Sequence, residues 1–362
     1  MRFKGRGAKH LLFAAALIFL EIGRANADAP KPGEPTDENA RKTFAGAIAF
    51  EKSRSYFAAI SEFRKANKQD GGHCSECLLR AFNLTIKVAE FKDAEEIGRE
   101  MIAQAGTPAD QAAAHYRLAM AFQRQGVAKK DDRCYNESCD ELKNTIALAP
   151  GFALAHYSYG VSLAHLHQDD AAKREFAAFV DGEHSNTDLR DRAQRYLDRI
   201  ELARAAMAPP FTVTTLNGEQ VSLDSLTGKV VLVDFWATWC GPCRQAIPHI
   251  RRIAEKFSGQ PFTVLSINLD KDEDKWRSFV KSNDMTWPQA RDGGLNGPVS
   301  RLFNVTAIPA TFTIDADGEL EDQHVGDADI EGKLKKLIAR AVELKNRAPQ
   351  PALTQASDAA PQ

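Results

Sequence analysis

Two cysteines separated by Gly and Pro, in Trp239-Cys240-Gly241-Pro242-Cys243-Arg244, are the residues of this 362-residue chain best placed to do chemistry. An apolar run, Val230-Val231-Leu232-Val233-Asp234-Phe235-Trp236, leads into them and reads as a buried strand. A helical pattern follows from near Cys243. Thiols two residues apart where a strand hands over to a helix can close and reopen a small disulfide ring. The helix N-terminus favours the thiolate of Cys240 and makes it a nucleophile near neutral pH. Cys243, inside the first turn, can then attack the mixed disulfide that Cys240 forms with a substrate. Zinc sites use the same spacing, but no nearby His or second C-x-x-C completes a metal set around this pair. The redox reading therefore leads, with a structural zinc site or an inert disulfide as its rivals.

The neighbouring residues have definable parts in such a site. Gly241-Pro242 fixes the loop between the sulfurs and removes one backbone donor. Trp239 either shields the site and contacts substrate or simply packs. Asp234 interrupts an otherwise apolar strand, and a buried carboxylate is costly unless it has a partner or a task.

These residues resemble a known family. Val233-Asp234-Phe235-Trp236-Ala237-Thr238-Trp239-Cys240-Gly241-Pro242-Cys243 is similar to a thioredoxin active site, and the Phe-Trp-Ala-Thr-Trp-Cys wording to the TlpA-like branch of exported thiol-disulfide oxidoreductases. The likeness runs from about Pro209 to about Leu344. It includes Pro209-Pro210-Phe211 with a hairpin turn at Asn217-Gly218, Gly228-Lys229 before the strand, and a strand over Phe262–Asn268. An acidic helix over Asp272–Ser282 and a turn at Ile314–Gly318 joining the last two strands complete it.

The resemblance implies that Ile308-Pro309 is the family's cis-proline, with the Ile308 backbone available to an extended substrate. It also implies that Asp234 lies behind Cys243 and exchanges a proton with it. Many TlpA-like proteins instead carry a Glu three residues after the second cysteine, where this chain has Ala246. Thioredoxins often place a Lys near the buried Asp, and the residue standing there is expected to be Ser266. No metal and no organic cofactor are expected; the redox-active Cys240–Cys243 disulfide is the working group. The implied reaction is reduction of protein disulfides, with cysteines of apocytochrome c or of a metal-delivery protein as substrates and a membrane electron donor. A thiol peroxidase shares the fold, but its site is built on a Pro/Thr-flanked cysteine rather than on W-C-G-P-C.

The rest of the chain reads as helical. Arg2, Lys4, Arg6 and Lys9, the apolar stretch Leu11–Leu20 and Ala25-Asn26-Ala27 have the form of a secretory signal peptide over residues 1–27. Export to the periplasm with a mature N-terminus near Asp28 is the expectation, and an uncleaved anchor the alternative. The formal net charge of −2 becomes −6 once those residues' five bases and one acid are removed. A mildly acidic protein argues against nucleic acid as a partner. Residues 28–39, rich in Pro and Gly, read as a flexible lead-in.

From about residue 40 to 207 a helical repeat is visible. Ala59/Phe63/Ala66, Ala94/Gly98/Met101, Ser138/Leu142/Thr145 and Ala172/Phe176/Phe179 recur at offsets of four and three. The period near 34 resembles the tetratricopeptide repeat, whose groove binds a peptide or protein partner. An irregular helical bundle is the alternative. The longer second interval implies an insertion in the third repeat, within residues 126–136, and 188–206 reads as a capping helix. The expected architecture is thus an all-α repeat domain over 40–207, then an α/β thioredoxin fold with an N-terminal hairpin over 208–345. A disordered tail over 346–362 follows.

Cys74 and Cys77 form a second C-x-x-C without Trp, Gly-Pro or a leading strand. The expected structural disulfides are Cys74–Cys77 and Cys134–Cys139, since a helix of about 14 residues would hold the two pairs roughly 20 Å apart. A metal site of all four cysteines and a second catalytic pair are the other readings. A non-catalytic repeat scaffold that merely carries a thioredoxin fold is the rival account of the whole chain.

Overall fold

The computed structural model describes residues 31–183, 185–325 and 330–347. The signal-peptide reading and residues 348–362 lie outside them. The chain divides into two compact units, Met1–Ser162 and Leu163–Gln362.

The first unit is a succession of antiparallel helices: Glu38–Lys52, Tyr56–Gln69, Ser75–Lys87, Phe91–Gln104, Pro108–Lys129 and Asp132–Leu148. Each packs on the next. Every second helix carries a repeat signature on its buried face. Ala59, Phe63 and Ala66 are fully enclosed, as are Ser138, Leu142 and Thr145. Gly98 stands where the other signatures carry Phe63, Leu142 and Phe176. A Cβ there would stand 3.0 Å from the Leu118 side chain, so glycine lets Phe91–Gln104 press against Pro108–Lys129.

The insertion expected within 126–136 is built as added helix. The helix Pro108–Lys129 has 22 residues against 13 for Ser75–Lys87, and it turns at left-handed Lys130 directly into Asp132–Leu148. The extra residues lengthen helices, because a run such as Gln123–Lys129 lacks any breaker beyond Gly126. The lead-in expected to be flexible over 28–39 is held at residues 33–37. Buried Asp70 accepts from the amides of Thr36 (2.7 Å) and Asp37 (2.8 Å), the Glu76 amide donates to the Gly33 carbonyl (2.9 Å), and Pro35 is buried. Backbone donors aimed at a carboxylate hold the Asp70 carboxyl below its ordinary range, although burial pushes the other way.

The second unit holds an α/β fold. A short hairpin, β1 (Thr212–Thr214) and β2 (Gln220–Ser222), closes at Gly218, whose φ of 83° suits glycine. Five further strands form one sheet: β3 (Val230–Trp236), β4 (Phe262–Asn268), β5 (Gln289–Arg291), β6 (Ala310–Ile314) and β7 (Leu320–Val325), in spatial order β5-β4-β3-β6-β7. β3, β4 and β5 run parallel, and β6 is antiparallel to β3 and β7. β3 is central and buried at every residue, which is why its sequence is a continuous apolar run rather than an alternation. The helix Gly241–Lys256 follows β3, Glu273–Ser282 follows β4, and Glu331–Arg347 comes last, so helix continues slightly beyond the expected domain end at 345.

The division at Ser162/Leu163 differs from the expected boundary at 207/208. Helices Asp169–Gly182 and Thr187–Asp198 group with the α/β fold. Arg192 and Arg195 both pair with the enclosed Asp224 carboxylate, at 3.2 and 2.5 Å, and Arg199 reaches Asp317 at 2.5 Å. A carboxylate buried among guanidinium groups is strongly destabilised if they are removed. The supposed cap, 188–206, is a helix to Asp198 followed by a 3-10 turn at Ile200–Arg204.

Candidate active site

Cys240 caps the helix Gly241–Lys256, and its Sγ accepts the Cys243 amide at 3.2 Å. The two cysteines are joined as a disulfide with Cα atoms 5.2 Å apart. The cap position follows from the local sequence. Pro242 sits in the first turn, where its missing N–H is no loss, and its ring pre-sets the helical φ. The sulfur that receives helix-terminal amides is therefore the one whose negative charge the helix stabilises.

Access is one-sided. Cys243 is buried at 2% exposure and Cys240 at 6%, whereas the adjoining Trp239 is 59% exposed. Cys240 Sγ lies 3.8 Å from the carbonyl oxygen of Ile308, which precedes the cis-peptide at Pro309. The loop before β6 thus brings backbone from residue 308 against residue 240.

In the strand that leads into the cysteines, β3, Asp234 is enclosed. Its register partner on β4 is Ser266, whose hydroxyl donates to Asp234 Oδ2 at 3.0 Å. Trp287 donates its indole N–H to Ser266 Oγ at 2.8 Å, leaving the hydroxyl proton for the carboxylate. Burial pushes the Asp234 carboxyl up to about 6, against the pull of the single Ser266 hydrogen bond. One neutral donor is too little to hold a buried carboxylate ionised in its normal range.

Some positioning residues were not foreseen from sequence. Asp270, just beyond β4, accepts from the Thr238 amide (2.8 Å), the Thr238 hydroxyl (2.7 Å) and the Asn268 side-chain amide (2.8 Å). All three residues are buried. They pin the 237–239 loop that delivers Cys240 to the helix start. The only sequence signal was a pair of polar residues, Asn268 and Asp270, closing an apolar strand.

Cys74 and Cys77 are also joined, and both are fully buried. Cys134 and Cys139 are not: they are free, buried thiols within Asp132–Leu148, and the expected bond between them is corrected. Residues five apart on one helix have Cα atoms about 8.7 Å apart, beyond what a disulfide spans. Burial raises both thiols, Cys139 to about 11, so neither is a ready nucleophile. Among the described residues no cluster of His, Cys, Asp or Glu with metal-ligand proximity includes any of these four cysteines.

A parallel-cored sheet with a capped C-x-x-C after its central strand and a cis-proline loop opposite defines a thioredoxin-fold redox protein. Comparison with known proteins agrees. The AhpC/TSA family model matches residues 205–323. The thiol-disulfide oxidoreductase ResA of Bacillus cereus is 30% identical over 145 residues, 39% of this chain and 83% of the relative. Thioredoxin-like protein YneN of Bacillus subtilis is 35% identical over 131 residues, 35% of this chain and 74% of the relative. A solved thiol-disulfide oxidoreductase from Bacteroides fragilis aligns with a TM-score of 0.34 and 26% identity, over 36% of this chain and 98% of that one. The chain belongs to the ResA- and TlpA-like thiol-disulfide oxidoreductases of the thioredoxin superfamily.

Proposed function

We propose that this oxidoreductase works in the reducing direction on exported proteins. The observation that carries the reading is the arrangement around Cys240: a helix-capping sulfur at the surface edge, beside the Ile308 carbonyl, with a carboxyl of raised affinity for protons in the strand behind. Cys240 attacks a substrate disulfide and Cys243 resolves the mixed disulfide. Asp234 takes the proton that Cys243 gives up. Exposed Trp239 and the Ile308 backbone hold the substrate segment, while Gly241 and Pro242 keep the loop between the sulfurs short. Only the protein's own disulfide enters the reaction, with no metal or organic cofactor.

The basic and apolar pattern of residues 1–27 supports export to the periplasm, where a reductant must draw electrons from a membrane donor. Family likeness favours cysteines of apocytochrome c or of a metal-delivery protein as substrate. The helical repeats supply a partner surface. A cavity of about 410 Å³ in the first unit, lined by Leu78, Leu79, Met101, Ala113 and Arg117 among others, is the candidate groove.

The Cys243→Ser variant tests the assignment. Expressed in its native compartment, it should accumulate disulfide-linked partners that disappear on reduction. Equal trapping by Cys240→Ser would reverse the two roles.

A further inference from the structure

Cross-strand partners project from the same face of a sheet. Gln289 on β5, Ser266 on β4, Asp234 on β3, Thr311 on β6 and His324 on β7 stand in one register row across all five strands. The first four are buried. A polar row through an otherwise apolar sheet needs its hydrogen bonds accounted for. Ser266 is satisfied: it accepts from Trp287 and donates to Asp234. Gln289 is not. Both Oε1 and Nε2 are enclosed without a partner, although its backbone carbonyl is held by the Leu216 amide at 2.7 Å. Neighbouring strands lie about 4.8 Å apart, so the Gln289 side chain starts one strand from the Ser266 hydroxyl.

We propose that Ser266 is a two-position hydroxyl that follows the charge on Asp234, and that Gln289 Oε1 is the acceptor its second position requires. Both are positioning residues, and the proposal rests on Asp234 being the proton acceptor for Cys243. With Asp234 ionised, the hydroxyl donates to the carboxylate, as observed. In the resolving step the Cys243 thiol passes its proton to Asp234. The Cys243 thiolate attacks the Cys240 sulfur, the Cys240–Cys243 bond forms, and the bond to the substrate sulfur breaks. The substrate leaves as a thiolate, which takes a proton from solvent.

Asp234 is now an acid with a proton to donate. Ser266 Oγ has two lone pairs, one held by the Trp287 N–H and the other free to accept from Asp234. Its own proton then turns away from the carboxyl, toward Gln289 Oε1. The Ser266 and Asp234 protons thereby each have an acceptor in both charge states, and the orphaned Gln289 Oε1 has a purpose. On the other side of β3 the register partner of Asp234 is neutral Thr311. His324, two strands away at the sheet edge, is paired with Asp322 at 3.0 Å.

The test is to titrate Asp234 in the reduced full-length protein by difference infrared spectroscopy of its carboxyl band, assigned by the band's loss in Asp234→Asn. Ser266→Ala removes the stronger bond to the charged form as well as the weaker one from the acid form, and should raise the midpoint by about half a pH unit. Gln289→Met keeps the volume but cannot support the acid form, and should lower it by about one pH unit. The double variant should follow Ser266→Ala, because Gln289 acts only through the serine. An unmoved midpoint in Gln289→Met, or additive shifts in the double variant, would overturn the proposal. If Gln289→Met does not fold, the wild type decides. Its protonated carboxyl should absorb at the lowered frequency of a hydrogen-bond donor, and a free-carboxyl frequency would overturn the proposal. Should Asp234→Asn leave the resolving step untouched, the proton role of Asp234 fails, while the titration still reports on the row.

Discussion

The chain builds the same local device twice and exposes it once. Cys74 and Cys240 each cap a helix, each accepts the amide three residues on at 3.2 Å, and each is bonded to that residue's sulfur with Cα atoms 5.2 Å apart. Helix-terminal stabilisation of a thiolate is therefore available at both. The surroundings differ. Cys74 and Cys77 are wholly enclosed, and the Cys74 amide is held by Asn67 at 3.1 Å. Cys240 keeps a small exposure beside exposed Trp239 and the Ile308 carbonyl, and buried Asp234 stands in the strand that leads into it. A helix N-terminus supplies thiolate character, but a substrate's way in and a proton acceptor decide whether the pair turns over. The second C-x-x-C is a staple for the turn between helices Tyr56–Gln69 and Ser75–Lys87.

The sharpest break of this comparison is by cysteine replacement. Cys240→Ser should abolish insulin-disulfide reduction. Cys74→Ser with Cys77→Ser should leave it unchanged and lower the stability of the helical unit by about 2 kcal/mol, the loop-closure value for so short a ring. Activity lost in the second variant would mean that the buried pair takes part in exchange. Activity retained in the first would return the chain to a scaffold reading.

Next in size is Asp234→Asn, which should slow the Cys243 step by roughly ten- to a hundredfold at pH 7 while sparing attack by Cys240. Stopped-flow measurement of both steps from pH 5 to 9 separates them. Stability should move the other way. The folded carboxyl titrates near 6 against 3.8 unfolded, so the folded state binds more protons between those values and stability falls as pH rises through them. The penalty is complete above about pH 6 and absent below about pH 4. Asn should therefore stabilise the protein by on the order of 2–3 kcal/mol at neutral pH and give no gain at pH 3.5. Equal gains at both pH values in denaturant titrations would assign the effect to something other than ionisation.

The smallest effect concerns the first unit alone. Gly98→Ala places a methyl 3.0 Å from Leu118. Overpacking should cost about 1–2 kcal/mol, partly offset by alanine's better helix propensity, with disulfide reduction unaltered. A rise in melting temperature would show that the helices separate easily.

Much of the catalytic unit was legible because its signals are local. A seven-residue apolar run can only be a buried strand, Asn217-Gly218 marks a hairpin, and Cys-Gly-Pro-Cys marks a helix start. The repeat signatures were legible because close packing of helices restricts size at fixed offsets. What stayed hidden depends on partners distant in sequence. Asp270 looks like any polar residue after a strand until it meets Thr238, 32 residues earlier. Arg192 and Arg195 lie in what reads as a capping helix for the repeats, yet they close on Asp224. Cys134 and Cys139 look pairable near a turn and are unpairable on the continuous helix that the chain forms.

The central claim is that access, and not the cap, distinguishes the two pairs. Differential alkylation of the native protein over a series of dithiothreitol concentrations, read by peptide mass spectrometry, tests it directly. Cys240 should label at low reductant, with the more deeply buried Cys243 slower, and Cys74 and Cys77 should stay unlabelled until denaturant is added. Labelling of Cys74 in step with Cys240 in the folded protein would contradict the account.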